Sequence, residues 1–385
     1  MSAELHDEPG LPDDPARRDA ARHGGAGPDG AAGPDDAGRS VAARLHADAV
    51  VLDAHNDLLM LVARRPPAAW VPYFRDHWLP QLHAGGVDVQ VLAVFIDDEF
   101  RPEGALRETL RMIEAAHRIA EGCPDQVALC TDGAQIDAAL ASGRIALVLA
   151  LEGAPQIDDD IELLQTVHRL GVRIVSLAHF GRSMLADGSG EDAAGSRLTQ
   201  SGVEAVALME RLGILLDVSH LGAAGVQHVL EIARRPVLAT HSSARALREH
   251  HRNLTDAQIE GIARTGGVVC VNFFAGFLDD SGTATVDTLV DHLLHVAQVA
   301  GVDAVGLGAD FVREVFEEKI PACDLPLIVQ GVDAMACVPG LEGPAGLPLV
   351  TAALLARGVP EQDVRKILGG NAVALLRAQL GLPGA

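Results

Sequence analysis

Four histidines and three carboxylates in this chain stand where short apolar runs stop. His55 and Asp57 close the run 50–57, Glu152 follows 145–151, His179 follows 174–178, His220 ends 214–219 at its polar side, His241 follows 237–240, and Asp310 follows 305–309. Imidazole mixed with carboxylate is the ligand set of zinc and its first-row neighbours; calcium and magnesium prefer all-oxygen shells. Residues two apart on a strand share a face, so His55 and Asp57 offer one nitrogen and one oxygen ligand from a single strand end. Glu152 is a carboxylate able to bridge two cations, and His220 and His241, on successive strands, can hold a second ion between them. Asp53, two residues before His55, is expected one layer deeper, as an acceptor or structural anchor. His250-His251 reads as a solvated loop, and His292 and His295 as a helix face.

Continuous apolar runs of this length are the pattern of strands buried on both sides of a parallel sheet. They predict strands at 49–55, 88–96, 145–151, 173–179, 214–219, 236–241, 267–273 and 304–309. Helical periodicity lies between most of them, at 105–121, 159–170, 201–212, 222–233, 255–264 and 285–300. Eight strands alternating with helices predict an α/β fold, a closed (β/α)8 TIM-type barrel with its chemistry at the C-terminal ends of the strands. An open doubly wound sheet fits less well, because the candidate ligands follow strands spread over the whole order and not one switch point. The Pro- and Gly-rich stretch 311–348 reads as an elaborated loop, and 349–380 as terminal helices. Thr255-Asp256-Ala257-Gln258 is a capping box, which puts Arg252 in the loop just before a helix. Gly171 and Gly213 are expected to stop helices in the left-handed conformation. Gly306-Leu307-Gly308 reads as a crowded strand end.

Residues 1–42 are dominated by Gly, Pro, Ala, Asp and Arg and cannot bury enough surface to offset ordering, so disorder is expected there and a single domain over 43–385. The 385 residues are 48% hydrophobic and carry a formal charge of −23, which argues for a soluble globular protein and against nucleic acid or an anionic membrane surface as partner. An anionic small solute remains admissible wherever a local cation receives it. Cys123, Cys130, Cys270, Cys323 and Cys337 show no CxxC spacing and read as reduced thiols. The first residues lack the basic start and apolar core of a signal peptide, and the last five lack a hydrophobic tail. A cytoplasmic protein is expected, with a homodimer left open.

Six strings carry a resemblance: Asp53-Ala54-His55-Asn56-Asp57, Leu151-Glu152-Gly153, Asp217-Val218-Ser219-His220, Thr240-His241-Ser242-Ser243-Ala244-Arg245, Arg252-Asn253-Leu254 and Gly306-Leu307-Gly308-Ala309-Asp310-Phe311. In order and spacing they resemble the membrane dipeptidase (renal dipeptidase) family of zinc peptidases, over about residues 45 to 380. The resemblance implies a (β/α)8 barrel with two Zn2+ per chain. It places His55 and Asp57 on one ion, His220 and His241 on the other, and Glu152 between them. It further implies that His179 and Arg252 contact the substrate and that Asp310, also at the substrate, carries the proton. The expected reaction is hydrolysis of dipeptides with a free C-terminal carboxylate, tolerating a D-residue at that position, through a metal-bridging hydroxide. The residues suit those roles. Two cations acidify a shared water, Asp310 can relay its proton to the leaving amine, His179 can donate to an oxyanion, and Arg252 offers a fork for a carboxylate. The chain departs from the family at two places bordering the substrate. Phe311 leads into Val312-Arg313-Glu314, where Asp-Gly is frequent, and the loop from Phe180 to Gly188 lacks the tryptophan common there. Other metal-dependent amidohydrolases (deaminase, lactonase, N-acyl amino acid hydrolase) would use nearly the same ligands, and a non-catalytic binding protein is the remaining alternative.

Overall fold

The computed structural model describes residues 34–157, 160–319, 328–329 and 331–381. Within them the apolar runs form one parallel sheet: β1 Val51–Asn56, β2 Val87–Phe95, β3 Val127–Leu129, β4 Ile145–Glu152, β5 Val172–Ser176, β6 Leu215–Asp217, β7 Leu238–Ala239, β8 Val268–Val271 and β9 Val305–Leu307. The hydrogen-bonded order is β2-β1-β9-β8-β7-β6-β5-β4-β3. β2 also pairs with β4, from Val89 with Ala146 to Phe95 with Glu152, which closes eight of the strands into a ring. The fold is therefore the closed (β/α)8 barrel, and the open sheet is excluded.

Every residue of β1 and β4 is buried, as the absence of polar alternation requires. Along β4 the two faces enter different packing clusters: Ala146, Val148 and Ala150 join one, and Ile145, Leu147, Leu149 and Leu151 the other. Glu152 continues the face of Ala150, so the strand's own period aims its carboxylate. β3 was not expected. It adds to the ring's outside along Ile145–Leu147, before β5 begins its pairing at Leu149, and three residues are too few to show a period.

Helices Ala105–Gly122, Leu163–Arg169, Gln200–Leu212, Ala223–Ile232, Asp256–Arg264 and Val286–Ala300 occupy the expected intervals. The capping box is present, with Gln258 N donating to Thr255 Oγ1 and Thr255 N donating to Gln258 Oε1. Gly213 stops its helix at φ 73°, and Gly171 has φ 108°. Unforeseen helices fill the connection between β1 and β2, at Leu58–Arg64, Trp70–Tyr73 and Leu79–Ala84. The stretch after β9 holds a helix, Arg313–Lys319, and a short antiparallel pair at 328–329 and 332–333.

A helix also runs from Pro34 to Asp48, so it begins inside the segment expected to be disordered. Ala42, Leu45 and His46 on it are buried, and the His46 ring nitrogens sit 2.7 Å from Thr351 Oγ1 and 2.9 Å from the Gly85 carbonyl. An apolar pair three apart, capped by one polar anchor, is enough to dock this short stretch. The rest of that expectation, residues 1–33, lies outside the described residues. Among the described residues Cys123, Cys130, Cys270 and Cys337 are free thiols, and no helix is long and apolar enough to cross a membrane.

Candidate active site

All eight residues singled out above meet at one end of the barrel, and Glu152 is their centre. Its Oε2 lies 3.5 Å from His55 Nε2, while its Oε1 lies 2.9 Å from His220 Nε2, 3.5 Å from His241 Nε2 and 3.6 Å from His179 Nε2. His55 Nε2 is 3.9 Å from Asp57 Oδ1 and 3.9 Å from Asp310 Oδ1. Three groups of donors converge closely enough to hold an ion: His55, Asp57 and Glu152; Glu152, His220 and His241; and His55, His241 and Asp310.

Backbone and neighbours fix each donor. Asp53 sits beneath His55, where Oδ1 accepts from the His55 and Ala309 amides at 3.2 and 2.8 Å and Oδ2 accepts from Gln90 Nε2 at 2.9 Å. That makes it the anchor expected of it, although burial lifts its carboxyl to about 6 against those bonds. Asp217 does the same for the second pair. It accepts from the Ser219 and Thr240 amides, both at 2.9 Å, and from Thr240 Oγ1 at 2.6 Å. With its proton given to Asp217, the Thr240 hydroxyl accepts from His241 Nδ1 at 2.7 Å, which leaves the Nε2 lone pair facing Glu152.

The donor set fits cations. His55 Nε2 and Asp57 Oδ1 are buried without a hydrogen-bond partner, and the Nε2 atoms of His220 and His241 approach to 2.8 Å beside a carboxylate oxygen. Burial alone would lower the His55 imidazolium, yet the carboxylates of Glu152, Asp57 and Asp310 lift it to about 10. Burial first, and then Glu152, pushes the Asp57 carboxyl well above the usual range. Burial and nearby positive charge, chiefly Arg252, hold His179 and His220 well below the usual imidazole value. His241 is depressed in the same direction by burial, His55 and Arg252. Three imidazoles held neutral, at His179, His220 and His241, and a fourth, His55, held charged by crowded carboxylates are the electrostatics that a divalent ion relaxes.

A cleft of about 770 Å³ opens above this floor, lined by Asp57, Glu152, His179, His220 and Asp310 among others. The His179 ring stands between Phe95 and Phe180, with both centroid distances 4.6 Å. Asp310 Oδ2 accepts from Asn272 Nδ2 at 2.8 Å. Arg252 is next to the site but does not line the cleft. It is 3% exposed, with Nη1 donating to Ser242 Oγ at 2.9 Å, Nη2 donating to the His241 carbonyl at 2.7 Å, and Nε unpartnered. Burial draws its guanidinium down to about 10 against the pull of Asp310, Asp217 and Glu152, so it stays charged at neutral pH. His250, expected in a solvated loop, is instead buried, because its Nδ1 accepts the Arg252 amide at 3.1 Å.

Asp217, Thr240, Gln90 and Asn272 were not given roles by their sequence context. Two of them carried a usable signal. Asp217 interrupts the apolar run of β6, and Asn272 ends the run of β8 just as the candidate ligands end theirs.

Comparison with known proteins places the chain among relatives of one family. The family profile described as membrane dipeptidase (peptidase family M19) matches residues 39–331. The dipeptidase verJ of Clonostachys rogersoniana is 27% identical over 371 residues, covering 89% of this chain and 87% of the relative. The dipeptidase tcpJ of Claviceps purpurea is 32% identical over 275 residues, 71% of this chain and 60% of the relative. A metallopeptidase from Rhodobacter sphaeroides, solved with a phosphinate mimic of the dipeptide L-Ala-D-Ala, superposes with a TM-score of 0.75 at 26% identity, covering 86% of this chain and 100% of that one. The chain therefore belongs to the membrane dipeptidase family of metallopeptidases.

Proposed function

We propose that this metal-dependent dipeptidase works with two zinc ions and cleaves dipeptides that carry a free C-terminal carboxylate, accepting a D-residue at that position. The observation that carries the reading is the division of Glu152: one carboxylate oxygen faces His55 and the other faces His220 and His241. A carboxylate shared in that way supports one ion held by His55 and Asp57 and a second held by His220 and His241. Bound there, such ions supply Lewis acidity, making a water acidic near neutral pH and polarising the scissile carbonyl.

The remaining work falls to the chain's own groups. His179, kept neutral by burial, has an N–H to donate to the carbonyl oxygen as charge grows on it. Asn272 holds Oδ2 of Asp310, leaving Oδ1 to accept the proton of the attacking water and return it to the leaving amine. Arg252 keeps an unpartnered Nε donor and a full charge beside the site, and it receives the substrate carboxylate. The phosphinate dipeptide mimic held by the Rhodobacter sphaeroides relative supports the substrate class and the D-configuration.

The test measures bound metal and the rates on matched substrates. Two equivalents of first-row metal are expected in the native protein, falling toward one in His220→Ala or His241→Ala with loss of most activity. Replacing the dipeptide carboxylate by an amide should cost about 2–4 kcal/mol in kcat/KM, and Arg252→Ala should erase that difference. Full turnover by metal-free protein would end the two-metal reading. Equal turnover of dipeptide and amide would remove Arg252 from the carboxylate and favour another amide or ester as substrate.

A further inference from the structure

Five of the nine phenylalanines, Phe95, Phe180, Phe274, Phe277 and Phe316, line the cleft above Glu152 and Asp310. In a chain with only 3% aromatic residues, that concentration calls for a reason of its own, because only Phe95 packs against the barrel core and the other four lie outside it. Phe274 and Phe277 pack ring to ring at 4.8 Å and form a separate apolar cluster with Val332. Phe180, Val312 and Phe316 lean on that cluster and remain only half-buried, so they present apolar surface to the cleft. Three loops build this wall, those following β5, β8 and β9. Apolar surface left facing a pocket is the part of a site that a ligand's own apolar group covers.

The opposite rim is different in kind. The loop after β2 forms it, with Arg101 paired to Asp98 at 3.0 Å and Asp97 paired to Lys319, which stands three residues past Phe316 on the helix Arg313–Lys319. A large apolar group placed on that side would desolvate paired charges. The wall also has a fixed relation to the carboxylate receiver, since Arg252 Cζ lies 5.9 Å from the Phe277 ring centroid.

Resting on the dipeptidase reading above, we propose that this wall selects dipeptides whose C-terminal residue bears a large apolar side chain, aromatic or branched aliphatic. A carboxylate held by Arg252 starts the C-terminal residue beside Phe277, and the side chain then runs along Phe274 and Phe316. The N-terminal residue faces the charged rim and is selected for small size or polarity. The cleft of about 770 Å³ leaves room for such a group, within the roughly 300–1,000 Å³ typical of small-molecule sites.

The experiment measures kcat/KM of the metal-loaded full-length protein on Gly-X dipeptides, with X as Gly, Ala, Leu or Phe, and on the mirrored X-Gly set. Gly-Phe should exceed Gly-Gly by on the order of 10²-fold, while the X-Gly set should span less than about tenfold. Phe316→Ala and Phe274→Ala should each cut the Gly-Phe to Gly-Gly ratio about tenfold or more. The ratio is taken on one preparation, so any unfolded fraction cancels. A flat Gly-X series, a gradient on the X-Gly set instead, or an unchanged ratio in both variants would overturn the proposal while leaving the dipeptidase reading intact. Cleavage of no dipeptide by the metal-loaded protein would overturn that reading, and this proposal with it.

Discussion

Two residues at the site adopt backbone conformations that side chains avoid: His220 at φ 70° and Asp310 at φ 56°. Each such residue costs on the order of 1–2 kcal/mol, and it persists only where the surroundings over-determine it. Here they do, because the Ser189 amide donates to the His220 carbonyl at 2.6 Å and the Asp310 amide donates to the His55 carbonyl at 3.1 Å. The strain turns both side chains over the floor of the cleft, where Asp310 Oδ1 stands 3.9 Å from His55 Nε2 and lines the open space. Asp310 also converges with His55 and His241 closely enough to be a ligand, so its role needs a discriminating substitution. Asp310→Asn keeps the shape, and asparagine tolerates the left-handed backbone. If Asp310 carries the proton, the variant should retain its metal while kcat falls on the order of 10²-fold or more. Loss of bound metal in that variant, measured by elemental analysis, would make Asp310 a ligand instead.

The elements position these residues by close backbone approach. A Cβ on Gly308, at the end of β9, would stand 1.7 Å from the carbonyl of Thr240, the residue that orients His241. Gly308→Ala must therefore push β9 and β7 apart, and it should destabilise the fold by about 3 kcal/mol and depress kcat/KM together. A variant with an unchanged melting temperature would show that the two strand ends are free to yield. This glycine was legible as a crowded strand end, as were the barrel's eight strands, because parallel strands buried on both faces leave unbroken apolar runs. β3 and the helices between β1 and β2 were not legible, being too short to show a period. Nor was the phenylalanine wall, since its members come from three loops and meet only in space. His292 shows another kind of positioning. It joins the helix Val286–Ala300 to the loop after β7 by accepting from the Ala244 amide at 3.1 Å, while its Nε2 contacts the Leu278 carbonyl at 3.0 Å. Burial depresses its value despite that carbonyl, and burial likewise depresses His46. The unfolded chain then binds more protons than the folded one below about 6.5, so stability falls as pH drops through that value and on toward the folded one. Each histidine contributes up to about 1.4 kcal/mol per pH unit in that window. These two histidines therefore lower the melting temperature as pH falls from about 7.5 to about 5.5, and His292→Gln should remove its share of that slope. An identical slope in the variant would remove His292 from the account.

At the scale of the whole molecule, the boundary of the folded domain is the point on which composition and structure part. Composition marks residues 1–42 as unable to offset their ordering entropy, and no candidate ligand lies among them. The helix Pro34–Asp48 nevertheless starts within that span, because Ala42 and Leu45 share one face and His46 supplies a polar anchor to Thr351 and Gly85. Thr351 belongs to the helix Pro348–Ala356, one of the last in the chain, so this contact ties the start of the folded chain to an element near its end. Truncation should thus have a sharp threshold. Removing residues 1–33 should leave both the melting temperature and kcat/KM nearly unchanged. Removing residues 1–46 deletes the burial of Leu45 and both His46 contacts, which should cost about 2–4 kcal/mol and lower the melting temperature by several degrees. The candidate metal ligands all lie beyond that cut, so the longer truncation should still bind metal at low temperature. Equal stability of the two truncations would show that the helix does not clasp the barrel. A large loss in the shorter one would instead assign the first 33 residues a docking role.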